Sequence, residues 1–102
     1  MKLTRFHRAG PNDLVPEGTF DIFEASGNRY IAFTLPENAG GFRCLPIAPG
    51  PAMQGAWGWD GNEDAPTLSP SIKCFDGAEK VVWHGHLDRG ELTNAGDSPV
   101  QI

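Results

Sequence analysis

Ser71-Ile72-Lys73-Cys74-Phe75-Asp76-Gly77-Ala78-Glu79-Lys80-Val81-Val82-Trp83-His84-Gly85-His86-Leu87 is the stretch that decides the fold. Its second half alternates. Val81, Trp83 and Leu87 fall on one side of a strand, and Val82, His84 and His86 on the other, because side chains switch face at every residue. Asp76-Gly77 is the strongest hairpin signal in the chain, since a type I′ turn needs positive φ where Asp and Gly tolerate it. The pattern predicts an antiparallel hairpin that pairs 71–75 with 79–83.

The same grammar extends outward. Turn residues recur roughly every ten positions, the spacing of an all-β sandwich or small barrel. Residues 19–24 lead into Ser26-Gly27-Asn28, a tight-turn sequence. A partner strand over 29–35 follows, with Tyr30, Ala32 and Thr34 on one face and Ile31, Phe33 and Leu35 on the other. A loop is expected at 36–41. A third apolar run at 42–48 contains Pro46, which suits an edge or bulged strand. Pro49-Gly50-Pro51 breaks the chain. Further strands are expected at 54–59 and 67–75, and Asp88-Arg89-Gly90 turns the chain back into 91–94. Asn12-Asp13-Leu14-Val15 predicts one helical turn, capped by Asn12 and stopped by Pro16. The tail from Gly96 is expected to be loose. The fold class is therefore mainly β: one small domain over residues 1–102, an antiparallel β-sandwich or small β-barrel with little helix.

Composition narrows the function classes. The chain has 102 residues, enough for a modest core, with 39% hydrophobic and 21% charged residues. Thirteen glycines and nine prolines imply many turns. A formal charge of −5 argues against general affinity for nucleic-acid backbones. The carboxylates are scattered, which is a poor imitation of a phosphate track. Met1-Lys2-Leu3-Thr4-Arg5-Phe6-His7-Arg8 is basic with no apolar run behind it, so neither a signal peptide nor a membrane span is expected. In a cytoplasmic protein Cys44 and Cys74 are expected as thiols, packed as small apolar side chains.

Chemistry concentrates in residues 57–91. Trp57 and Trp59 point to one face of a strand, and Gly58 leaves the other face open. The pair could stack a ligand or simply fill the core. Thr67, Ser69 and Ser71 form a row of hydroxyls opposite Leu68 and Ile72. Ser69 as a nucleophile would need His84 as base and Asp60 or Asp64 as acid, and no nucleophile-elbow sequence supports it. His84 and His86, two apart on a strand, put both imidazoles on one surface. Glu91 follows at a spacing that could add an oxygen ligand to a divalent metal. His84-x-His86-x4-Glu91 resembles the first metal motif of the cupins, with the upstream glycine displaced and the later histidine motif missing. His7, Cys74 or a second subunit would have to complete such a site.

Trp57-Gly58-Trp59-Asp60-Gly61-Asn62, Ala65-Pro66-Thr67-Leu68-Ser69-Pro70-Ser71-Ile72 and Trp83-His84-Gly85-x-Leu87-x-x-Gly90 together resemble a family of small phage and prophage proteins without an established activity. Its members are often labelled ammonia monooxygenase. The resemblance covers about residues 33–91, and the Pro-Thr-Leu-x-Pro-Ser block is its most distinctive part. It implies a phage or prophage origin and a bacterial cytoplasmic setting. Many members carry a Cys-Pro-x-Cys-like segment suggestive of zinc. The corresponding stretch here, 34–41, has no cysteine, so no such zinc site is expected. The family pattern supports His84 more than His86.

The resulting expectation is an accessory binding protein of a phage, acting on a host or phage protein, with inhibition of a host defence system as one form. Its binding site would gather Trp57, Trp59, Asp60, Asn62, Thr67, Ser69, Ser71, Trp83 and His84. In it the tryptophans supply contact area, Asp60 and Asn62 fix a loop, and the hydroxyls and His84 give directional hydrogen bonds. No cofactor is required by this reading. The alternatives are a small-barrel, cupin-like enzyme with a divalent metal on His84, His86 and Glu91, and a virion or assembly component.

Overall fold

The computed structural model describes residues 1–10 and 12–102. Two tight turns set much of its register. Ser26 and Gly27 adopt φ of 52° and 80°. They close a two-residue turn between β2 (Thr19–Ala25) and β3 (Asn28–Thr34), with Ala25 opposite Asn28. Arg89 and Gly90, at 48° and 78°, do the same between β8 (Val81–Asp88) and β9 (Glu91–Asn94). Positive φ at both central residues is what a type I′ turn demands.

The strands form two sheets. β1 (Thr4–Arg5), β2, β3, β4 (Phe42–Pro49), β5 (Trp57–Trp59) and β6 (Leu68–Ser69) lie side by side in that order. The sheet curls toward a half-barrel. β7 (Ile72–Phe75), β8 and β9 form the second sheet. The expected class holds: the protein is mainly β, and its only regular helical element among the described residues is a 3-10 turn at Glu37–Ala39. Two pairings are parallel, β1 with β2 and β4 with β5, a departure from an all-antiparallel sheet. None of the described helices is long and apolar enough to cross a membrane.

The core lies between the sheets. Phe20, Ile31, Phe33 and Leu35 contribute from the large sheet and the segment after it. Ile72, Trp83, Leu87 and Leu92 contribute from the small one. Trp83 is completely buried. Its N–H donates to Asn94 Oδ1 at 2.9 Å, so the one polar atom of the indole is satisfied. Beside it, a Cβ on Gly85 would stand 2.2 Å from the Thr93 carbonyl oxygen and 2.3 Å from the Trp83 ring. Only glycine lets β9 and the indole close on β8 at that point.

The basic N-terminus covers the other end of the large sheet. Arg8 Nε donates to Asp21 Oδ2 at 3.0 Å, and Arg5 Nη2 lies 3.7 Å from Asp21 Oδ1. Arg5 also donates to the carbonyls of Ile22 and Glu63. Buried Asp21 is thus compensated by two guanidinium groups.

Four expectations are corrected. Residues 12–15 do not form a helical turn; Asp13 instead bonds Gly10, accepting from its N–H and donating to its carbonyl. The strand expected over 67–75 is two strands in different sheets, parted at Pro70, which follows a cis peptide bond. A proline has no N–H for a ladder. The turn at Asp76-Gly77 is longer than two residues. Asp76 Oδ1 accepts from the N–H groups of Ala78 and Lys80, and Glu79 carries the positive φ of 62°. β7 therefore meets β8 from Val81 onward, with an irregularity at Cys74/Phe75. The tail beyond Gly96 is not loose. Ile102 N–H donates to Asn94 Oδ1 and Asn94 Nδ2 donates to the Ile102 carbonyl. Cys44 and Cys74 are free thiols, and burial pushes that of Cys74 up.

Gly85→Ala is expected to cost at least about 2 kcal/mol, because backbone on one side and the buried indole on the other leave the new methyl nowhere to go. Urea unfolding should show a lowered midpoint; an unchanged midpoint would contradict the packing described. The backbone bonds from Lys80 and Ala78 hold the Asp76 carboxyl below the ordinary carboxylate range. Its folded pKa is thus lower than its unfolded one. The stabilisation is present above the unfolded value and is lost as pH falls through the folded value. Melting curves of Asp76→Asn across acid pH should accordingly fall less steeply than those of the parent protein.

Candidate functional site

Ser71, His84 and Asp97 stand in one hydrogen-bonded line. His84 Nε2 is 3.0 Å from Ser71 Oγ, and His84 Nδ1 is 2.6 Å from Asp97 Oδ1. A carboxylate offers only acceptors, so the imidazole's proton belongs on Nδ1. Nε2 is then left as an acceptor for the serine hydroxyl. This is the geometry of nucleophile, base and orienting acid. The His84 bond holds the Asp97 carboxyl below the ordinary carboxylate range, and the positive charge of Lys73 adds to the effect.

Each member is placed by the fold. Ser71 is half-buried at the crossover between sheets, immediately before β7. His84 lies mid-strand on the outward side of β8, with its side chain 16% exposed. Asp97 comes from the segment after β9 and is exposed. That segment is pinned by His84's own backbone. The Ala95 N–H donates to the His84 carbonyl at 2.9 Å, and the His84 N–H donates to Ser98 Oγ at 3.0 Å. Ser98 is buried and passes its hydroxyl proton toward the Val100 carbonyl at 2.7 Å. The residue that carries the base therefore also fastens the residue that carries the acid.

The residues expected to form a binding site fall into different roles. Trp83 and Trp59 are core, 0% and 4% exposed, and give no contact area to a partner. Trp59 N–H donates to the Asn62 carbonyl, and Arg29 stacks over its ring at 5.5 Å. Trp57 is half-buried and donates from Nε1 to the Ser71 carbonyl at 3.2 Å. Gly58 does not leave an open face. A Cβ there would lie 2.6 Å from the Gly50 carbonyl oxygen and 2.7 Å from the Ala52 nitrogen. The loop before β5 thus lies directly on this strand.

Asp60 and Asn62 do fix a loop. Asp60 Oδ1 accepts from the N–H groups of Asn62 and Thr67, and Asn62 Oδ1 accepts from those of Asp64 and Ala65. Thr67 Oγ1 ties this loop to the next turn by accepting from the Arg89 N–H. The hydroxyl row is not one face of one strand. Ser69 is exposed on β6 opposite Gly58, whereas Ser71 belongs to the second sheet's approach. His84 and His86 do share a face, with ring centroids 6.4 Å apart. Both nitrogens of His84 are engaged by Ser71 and Asp97, and Glu91 is paired opposite Asp88 at the start of β9. Among the described residues no group of three or more His, Cys, Asp or Glu is arranged to hold a metal ion.

Sequence reasoning named His84 as a candidate base, but beside Ser69 and with Asp60 or Asp64 as acid; it gave Ser71 only a hydrogen-bonding role and missed Asp97. The acid lies 13 residues beyond His84, as His84 lies 13 beyond Ser71, and no short motif links them.

No curated protein and no solved structure matches the chain. The sequence model of one protein family, described as the serine protease of a bacterial ubiquitination-like system (BubE), matches residues 6–95. The match includes Ser71 and His84 and ends just before the segment that bears Asp97. The chain belongs to this BubE family.

Proposed function

We propose that the protein is a serine protease of a bacterial ubiquitination-like system, cleaving an acyl bond in a protein substrate with Ser71 as nucleophile. The observation that carries this reading is the continuous line from Ser71 Oγ through His84 to Asp97, with separations of 3.0 and 2.6 Å. Membership of the BubE family supports it independently.

The chemistry follows from the geometry. Ser71 Oγ attacks the acyl carbon while its proton passes to His84 Nε2. Asp97, accepting from Nδ1–H, keeps the ring in the required tautomer and stabilises the imidazolium. The leaving group then takes the proton from Nε2 and departs. Water, deprotonated by the same nitrogen, hydrolyses the ester on Ser71 and restores the enzyme. The expected protein partner is, in this reading, the substrate. A phage or prophage setting would leave these steps unchanged.

A small alkyl fluorophosphonate tests the assignment. It should phosphonylate Ser71, as located by mass spectrometry of tryptic peptides, and Ser71→Ala should lose the adduct while melting like the parent. Labelling at Ser69 or Ser98 instead, or none at all, would refute it. Asp97→Asn should lower turnover by about two to four orders of magnitude through the wrong tautomer. The fold should survive, because Ser98 and Asn94 still fasten the tail. Since His84 lowers the Asp97 pKa, the carboxylate persists as pH falls through the ordinary carboxylate range and is lost only below it.

A further inference from the structure

Beside Ser71 the surface opens into a hollow of about 560 Å³, walled by Pro46, Met53, Ala56, Trp57 and Pro70 with the main chain of the loop 52–56. It adjoins the nucleophile's own backbone. Pro70 is the residue before Ser71, and Trp57 carries the indole that donates to the Ser71 carbonyl. The loop wall is preformed: Met53 and Ala56 exchange both backbone hydrogen bonds, and Gly50 N–H donates to the Trp59 carbonyl. No charged side chain lines the hollow, and Gln54 supplies its one polar side chain. A charged group entering would lose water without gaining an ion partner. Each methylene removed from water there is worth about a fourfold gain in binding. A second hollow, of about 410 Å³, shares Pro46, Met53 and Gln54 as lining and reaches Arg29 and Tyr30.

We infer that this hollow is the specificity pocket of the protease: it receives an aliphatic or aromatic side chain of the polypeptide substrate, on the acyl side of the bond that Ser71 attacks. The inference rests on the reading of Ser71 as nucleophile and adds the substrate class. Met53 is the residue to alter, because it is 60% exposed and lies at the mouth, away from the core. A glutamate there places a carboxylate against the entering side chain and reverses the preference.

The test uses tetrapeptidyl diphenyl phosphonates, alanine throughout except for leucine or lysine at one of the four positions in turn. In each reaction the Ser71 Oγ–P bond forms, phenoxide leaves, and the serine proton passes through His84 to it. At one position leucine should react at least about tenfold faster than lysine, the equivalent of burying two methylenes. Met53→Glu should remove that margin or invert it. Ala52→Trp, at an exposed position, should fill the hollow and slow the leucine probe selectively. Both variants should react with ethyl fluorophosphonate within about twofold of the parent rate, since that probe is too small to need the pocket. Leucine and lysine reacting alike at all four positions, a margin that survives both variants, or peptidyl probes that fail while the small one reacts, would overturn the pocket and leave the nucleophile standing. Failure of the small probe on the parent protein would overturn both.

Discussion

Burial of Trp83 is the constraint on which the site depends. The indole fills the space between the two sheets, and its N–H leads to Asn94, which in turn fastens Ile102. A strand that commits one residue wholly to the core must present the next to the outside. His84 is that next residue. Its outward aim follows from the same pleat that buries its neighbour, and Gly85 then allows β9 to come close enough for its end to deliver the tail. His84 is held rigidly because it is one position from a completely buried core residue.

The acid is held differently. Asp97 is exposed and belongs to no strand, yet Ala95 before it and Ser98 after it are bonded to the main chain of His84 in β8. Its position is therefore fixed by backbone and by the Ser98 hydroxyl, leaving the carboxylate free to serve the imidazole. Solvent weakens the charge attraction at such a place. The orienting role survives that weakening, because selecting a tautomer needs one directional bond and not a buried charge. Ser71 receives a third kind of support: a crossover between sheets, stabilised by the Trp57 indole on its carbonyl.

Much of the framework was legible. Alternation at 81–87 predicted which side His84 faces, and the paired turns at 26–27 and 89–90 lay where glycine and small or polar residues foretold them. The loop roles of Asp60 and Asn62 also followed from residue type, since short side-chain acceptors satisfy nearby N–H groups. The line from Ser71 through His84 to Asp97 was not legible, for specific reasons. Residues 67–75 read as one strand, which placed Ser71 in a row of ligand-binding hydroxyls with Thr67 and Ser69; the chain in fact changes sheet at Pro70 and turns Ser71 toward His84. Asp97 sits among Gly, Ser and Pro, a composition that predicts a loose tail. Nothing local reveals that Ser98 would be buried and bonded to the base. The tryptophans misled in the opposite direction, since aromatic clustering looks the same whether it faces a ligand or a core.

The order of the three groups along the chain is serine, histidine, acid, each 13 residues from the next. Chymotrypsin-like, subtilisin-like and α/β-hydrolase enzymes use three other orders. Here the whole arrangement occupies one hairpin, one return strand and a short strap. Its two hydrogen bonds each join residues 13 apart, while the core beneath them draws on the whole chain. Contacts so local carry a small loop-closure penalty and tend to form early as a chain folds. They also make the arrangement simple to acquire: a hairpin that already packs a tryptophan inward needs only a serine before it, a histidine on its outer face and an acid in the strap. The whole line is laid out between Ser71 and Asp97, within a single stretch of the sequence.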